Sequence, residues 1–260
     1  MNWTRDDLLV ALNLYTKLSF GRFDKRNGLI IDVAQRMGRT PSSLAMKLSN
    51  FASLDPFHAA RGIKGLPNVS NFDREMWAQF REQRNELAPE SEAIFRSLYA
   101  AQEADAVEVV YGKGVIVTHE QPPFGPTEIF APTKIRRGQQ FFRQAVLNRF
   151  ANRCGVTGIA IRSWLVASHI EPWSKNESER LNPSNGLCLS RLHDAAFDQG
   201  LTTFDEDYRL VVSKAVRDHF ATDAVRIHFE PYEGKRLDFS DVLPPPSAEL
   251  LALHRERFAA

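Results

Sequence analysis

Three residues of this sequence have types and spacing that could do hydrolytic chemistry. His169 ends an apolar run, Asn185 sits in a Pro-Ser-Asn-Gly turn, and His193 opens a short helical pattern. A neutral histidine can accept a proton near pH 7. Histidine and carboxylate side chains can hold a divalent metal, and an amide can fix a ring or complete the metal's surroundings. Such a set suffices to hydrolyse a phosphodiester, which needs a deprotonated water and a cation to take up charge on the leaving oxygen. Taken singly, each residue has a plainer reading. His169 would be a hydrogen-bonded histidine at a strand end, Asn185 a turn former before glycine, and His193 an exposed residue at a helix start.

The elements that must position these groups follow from the surrounding pattern. CGVTG at 154–158 reads as a tight turn, and 159–170 is rich in β-formers. Residues 175–182 form a polar loop, and the NPSNG cluster at 182–186 is a turn. Residues 187–189 supply a second strand, and Ser190 can cap a helix over 191–197. Strand, loop, strand and helix make a ββα unit.

Four pieces in order, CGVTG, SHI, SNGL and LHDAAFDQG, make the segment 149–205 resemble the restriction-type branch of the HNH (His-Asn-His) endonucleases. The resemblance implies His169 as general base, Asn185 as the middle asparagine and His193 as metal ligand. It also implies cleavage of DNA with a divalent cation such as Mg²⁺ or Mn²⁺. Two departures matter. Many HNH enzymes carry Asp or His before the base as a metal ligand, whereas this chain has Ser168. Either that hydroxyl is a weak ligand or a helix carboxylate, Asp198 before Asp194, supplies the charge. Paired Cys-x-x-Cys knuckles are also missing, since Thr157 stands at the second cysteine place. No structural zinc is expected, and packing of Cys154, Leu189 and Leu192 is expected to replace it.

The rest of the chain reads as machinery that brings DNA to this site. Net charge is only +1 over 260 residues, but residues 1–85 carry +5 and residues 133–153 carry +6 with no acid. A phosphate backbone responds to local patches of this kind. In the second block, Arg136, Arg137 and Arg143 lie on or before a helix with Phe141, Phe142, Ala145, Val146 and Phe150 inward. Arg149 and Arg153 are expected outward. In the first block, a helix ending at Gly38 and a second one capped by Thr40 with Pro41 at its first position outline a helix-turn-helix. Arg39 and Lys47 are its candidate DNA contacts, against the alternative of a helical bundle with solvated polar residues.

The expected fold class is α+β: a helical, helix-turn-helix-like DNA-recognition domain over 1–106, a linker over 107–132 with a strand pair around GKG, and a ββα-metal HNH domain over 133–260. Helices are expected over 73–87 and from Pro89 to about 106. A hairpin over 201–213, a strand over 226–232 and a final helix capped by Ser247 complete the reading. No apolar run is long enough for a membrane helix, the polar N-terminus is unlike a signal peptide, and two cysteines make no disulfide framework. A cytoplasmic DNA endonuclease of restriction or defence type is the expected function, with a homodimer needed for concerted double-strand cleavage. The alternatives are a DNA-binding regulator with an inactive HNH-like domain, or a nuclease for RNA or structured substrates.

Overall fold

The computed structural model describes residues 2–62, 69–99, 107–110, 114–117, 138–241 and 243–258, with backbone alone for 107–110 and 114–117. Most of the expected linker, His119, the centre of the loop after Arg61, Arg136 and Arg137 lie outside the described residues. The chain is α+β and divides into two units, Met1–Gln144 and Ala145–Ala260.

The first unit is helical where described, apart from one small hairpin. α1 (Arg5–Lys17) begins with a capping box, in which Thr4 and Asp7 satisfy each other's backbone N–H. α2 (Gly28–Arg36) is capped by Asn27. Gly38, at φ +67°, turns the chain into α3 (Pro41–Leu54), capped by Thr40 with Pro41 in its first turn. α4 (Pro56–Ala60), α5 (Asn71–Glu82) and α6 (Arg84–Ser97) follow. Leu8, Leu12, Ile30, Val33, Leu44, Leu48 and Phe51 make a fully apolar centre. The boundary between α5 and α6 falls at Gln83, so Pro89 lies in the second turn of α6 instead of opening it. Beyond α6, β1 (Val107–Val110) pairs antiparallel with β2 (Gly114–Val117), the strand pair expected around GKG.

Burial in this unit corrects the expected surface. Lys47 is buried: its Nζ sits 2.6 Å from Asp73 and 4.8 Å from the centre of the Trp3 ring. Arg39 donates to Asp7 at 2.6 Å and to the Asn2 carbonyl, with its guanidinium over the same indole. A cation removed from water needs a partner, and here it has an internal one. Both residues expected to meet DNA therefore hold the helices together. Asp73, the partner of Lys47, also accepts from Asn50.

α7 (Gln139–Arg149) spans the division between the units, burying Phe141, Phe142, Ala145, Val146 and Leu147. Arg143 is half-buried and Arg153 exposed. Arg149 is buried instead of outward, its guanidinium donating to the Pro183 carbonyl.

In the second unit a short 3-10 turn, Arg162–Trp164, precedes β3 (Leu165–His169), so the strand is shorter than its β-rich sequence suggests. β4 (Gly186–Ser190) pairs with β3 antiparallel, and α8 (Arg191–Asp198) follows directly and packs on both strands. β5 (Thr202–Phe204) and β6 (Leu210–Val212) form the expected hairpin. α9 (Lys214–Arg217), α10 (Asp223–Phe229) and α11 (Ala248–Arg255) complete the unit. The expected strand over 226–232 is helical. Its alternating apolar residues are not buried on a sheet face, since Ile227 is exposed and only Phe229 is inside. Arg226 pairs instead with Asp223 and Glu230, three and four residues away, which favours helix.

Candidate active site

The site is built on the β3–β4 hairpin. Ser168 pairs with Leu187 and His169 with Gly186, so the two residues sit where β3 leaves the sheet. The connecting loop is brought back by a 3-10 turn at Pro183–Asn185, capped by the Asn182 carboxamide. The Ile170 N–H then donates to the Asn185 carbonyl and closes the hairpin.

The Asn185 side chain is 1% exposed and fully used. Its Oδ1 accepts from the Glu171 N–H at 2.8 Å, while its Nδ2 donates to the carbonyls of Glu171 and Glu179 at 3.2 and 3.1 Å. A single amide thus fixes both ends of the loop after β3. The next carbonyl along, that of Arg180, lies 2.9 Å from His169 Nε2. A carbonyl only accepts, so Nε2 carries the proton and the lone pair of the neutral ring is on Nδ1. Trp173 packs edge-on against the imidazole, and the Arg180 guanidinium lies over the indole while its Nε donates to the Trp173 carbonyl. Asn185 therefore orders the loop whose carbonyl selects the His169 tautomer.

His193 behaves differently. It is 2% exposed, its Nε2 donates to the His228 carbonyl at 3.0 Å, and its Nδ1 accepts from Ser190 Oγ at 2.9 Å. Burial pushes its pKa down to about 4. One nitrogen donates and the other accepts, so both ring nitrogens are engaged within the protein. The residue assigned as ligand by resemblance is, in this structure, a brace that ties α8 to the end of α10.

The groups that could hold a cation are one position further along. Asp194 and Asp198 are one turn apart on α8. Burial raises the pKa of both, and the Asp194 charge raises that of Asp198 further. Ser168 Oγ is buried and makes no well-formed hydrogen bond, yet lies close enough to the Asp194 carboxylate to favour its charged form. Two like charges beside an unpartnered hydroxyl fit a divalent cation. Among the described residues no three His, Cys, Asp or Glu side chains come together as a cage. A Mg²⁺-type ion keeps several waters and commonly takes only one or two carboxylates plus substrate oxygens. Asp194 was the weaker candidate in the sequence, although the Asp-x-x-x-Asp spacing in LHDAAFD carries the signal.

Cys154 and Cys188 are buried free thiols. The CGVTG turn is held by Gly155 N–H donating to the Cys188 carbonyl. A Cβ at Gly155 would lie within 2.7–2.9 Å of Leu237 and Phe150, so the turn packs closely against both. Leu189 is buried as expected, but Leu192 is exposed and contributes little there.

Residues 154–205 match the family model described as HNH endonuclease, and the ββα unit is an HNH domain of nuclease type. No curated protein matches the chain. No helix among the described residues is long and apolar enough to cross a membrane.

Proposed function

We propose that the protein is a metal-dependent DNA endonuclease. The observation that carries this reading is at the end of β3: a buried Ser168 hydroxyl beside the Asp194 carboxylate of α8, next in sequence to a histidine whose Nε2 is held by the Arg180 carbonyl. Asp194 and Asp198 would hold the metal, with Ser168 Oγ beside them. The metal would stabilise charge on the phosphate and the leaving oxygen. His169 takes the proton from the attacking water, while Arg180 and Asn185 keep the ring in place. Neither His193 nor a three-residue cage is needed.

The basic segment 133–153, through Arg136, Arg137, Arg143 and Arg153, is the phosphate-tracking surface in this reading, since Arg39 and Lys47 are committed internally. The helical unit supplies the remaining recognition. The resemblance of the motif pieces to the restriction-type branch supports a role in restriction or defence in this reading, with two copies required for concerted cutting of both strands.

The test is supercoiled plasmid with Mg²⁺ or Mn²⁺. The wild-type protein nicks it, chelator stops the reaction, and His169→Ala abolishes it. Binding of DNA without cleavage under either metal would favour a regulator that retains an inactive HNH fold. Faster cutting of RNA than of plasmid would move the substrate class.

A further inference from the structure

The family match ends at residue 205, yet the C-terminal helix reaches the same site. Three contacts hold it there. His254 stacks on Phe197 with ring centres 3.7 Å apart and planes 3° from parallel. Its Nε2 donates to the Phe197 carbonyl and its Nδ1 accepts from Thr203 Oγ1, each at 2.9 Å. Gly200, at φ +69°, ends the turn after α8, and a Cβ there would stand 2.7 Å from the Arg257 carbonyl oxygen. Gly200 is needed both for its backbone conformation and for this approach.

These contacts fix where Arg257 emerges. Its Nη2 donates to the Ile170 carbonyl at 2.9 Å, one residue beyond His169. Its charge also draws on Asp198, opposing the effect of burial and of Asp194. An ordinary surface arginine would point to water. This one is anchored by a docked helix, spends one donor on the end of the base-bearing strand, and remains largely exposed.

We propose that Arg257 is a positioning residue of the nuclease site, fixing the exit of β3, and with it His169, relative to the carboxylate face of α8. The proposal rests on the nuclease reading. A guanidinium can hold a carbonyl and keep directed donors for a second group, which an ammonium cannot do equally well. Its hydrogen bond lies at the exit of the base-bearing strand, so its removal is read in turnover separately from Mn²⁺ binding.

The experiment measures Mn²⁺ affinity by titration calorimetry, and plasmid nicking at saturating Mn²⁺, for wild type, Arg257→Met and Arg257→Lys. The Met variant is expected to bind Mn²⁺ as tightly as wild type or severalfold tighter, and to nick about tenfold more slowly. The Lys variant is expected to keep wild-type Mn²⁺ affinity and recover part of the rate. A Met variant identical to wild type in both measurements overturns the proposal and leaves the nuclease reading standing. So does a Met variant that loses Mn²⁺ affinity, rate and thermal stability together without recovery in Arg257→Lys, since that marks a folding role. A wild-type protein that neither binds Mn²⁺ nor nicks overturns both.

Discussion

In the helical unit, Lys17 Nζ lies 2.6 Å from Glu92, with both side chains almost entirely out of water. Glu92 also accepts from Asn13 and pairs with Arg96, and its pKa is held below the usual carboxylate range despite the opposing cost of burial. On α8 of the HNH unit, the half-buried Asp194 and the exposed Asp198 stand one turn apart, and their pKa values are raised. The first arrangement is complete in itself. Such pairs cost desolvation and return it through Coulombic attraction and hydrogen bonds, so their contribution is to hold helices in one geometry. In the second, burial outweighs the attraction of Arg191 and Arg257. Buried charge in the helical unit therefore reports architecture, while the raised carboxylates of α8 are the groups that the proposed nuclease reading assigns to a cation.

His169→Ala is expected to lower plasmid nicking by about 10²–10⁴, the usual range for a general base, without changing Mn²⁺ affinity. Lys17→Met leaves Glu92 buried with reduced compensation. It is expected to cost about 3 kcal/mol in urea unfolding of the helical unit, since stranding a buried charge is far more costly than losing a surface pair. A loss near zero would mean that this network is not structural.

The pH dependence of the two units should also differ. Burial depresses His193 and His254 from 6.5 to about 4, so both are neutral when folded. Unfolded chains bind the extra protons between those values, so stability of the HNH unit is full above pH 6.5 and falls as pH drops towards 4, by about 3 kcal/mol per histidine at most. Glu92 is depressed instead, so its contribution is present above pH 4.5 and is lost only as pH falls below that value. Burial also lowers the pKa of His58 in the helical unit, so both units lose stability from pH 7 to 5, and thermal scans should lower the HNH transition more because two histidines are depressed there to about 4. The smallest effect has the opposite sign. Asp194→Asn removes the like charge beside Asp198 and is expected to stabilise the metal-free protein by under about 1 kcal/mol, partly screened by solvent, while eliminating any stabilisation by Mn²⁺.

Much of the HNH unit was legible in the sequence because its signals are local. The Pro183–Asn185 turn, the Ser190 boundary and the strand pairing of Ser168 and His169 follow from short-range pattern. The N-terminal cap at Thr40 is local in the same way. What the sequence hid depends on distant partners. Lys47 and Arg39 look like solvent-facing recognition residues until Asp73 and Asp7 are seen beside them. His193 looks like a ligand until the His228 carbonyl, thirty-five residues away, takes its second nitrogen. Arg257 carries no motif at all, and its place depends on Gly200 and His254 docking the last helix. The 226–232 segment was misleading because its apolar alternation at Ile227 and Phe229 had no sheet face to cover, and nearby ion pairs decided for helix.

The central claim is that α8 presents Asp194 and Asp198 to a cation while His193 is a brace. Anomalous diffraction at the manganese edge, from crystals of the whole chain soaked in Mn²⁺, tests this most directly. One peak is expected within coordination distance of the Asp194 and Asp198 carboxylates on the Ser168 side, with the His193–His228 and His193–Ser190 hydrogen bonds intact. A peak on a His193 nitrogen, or no peak at the two carboxylates at saturating Mn²⁺, would contradict it.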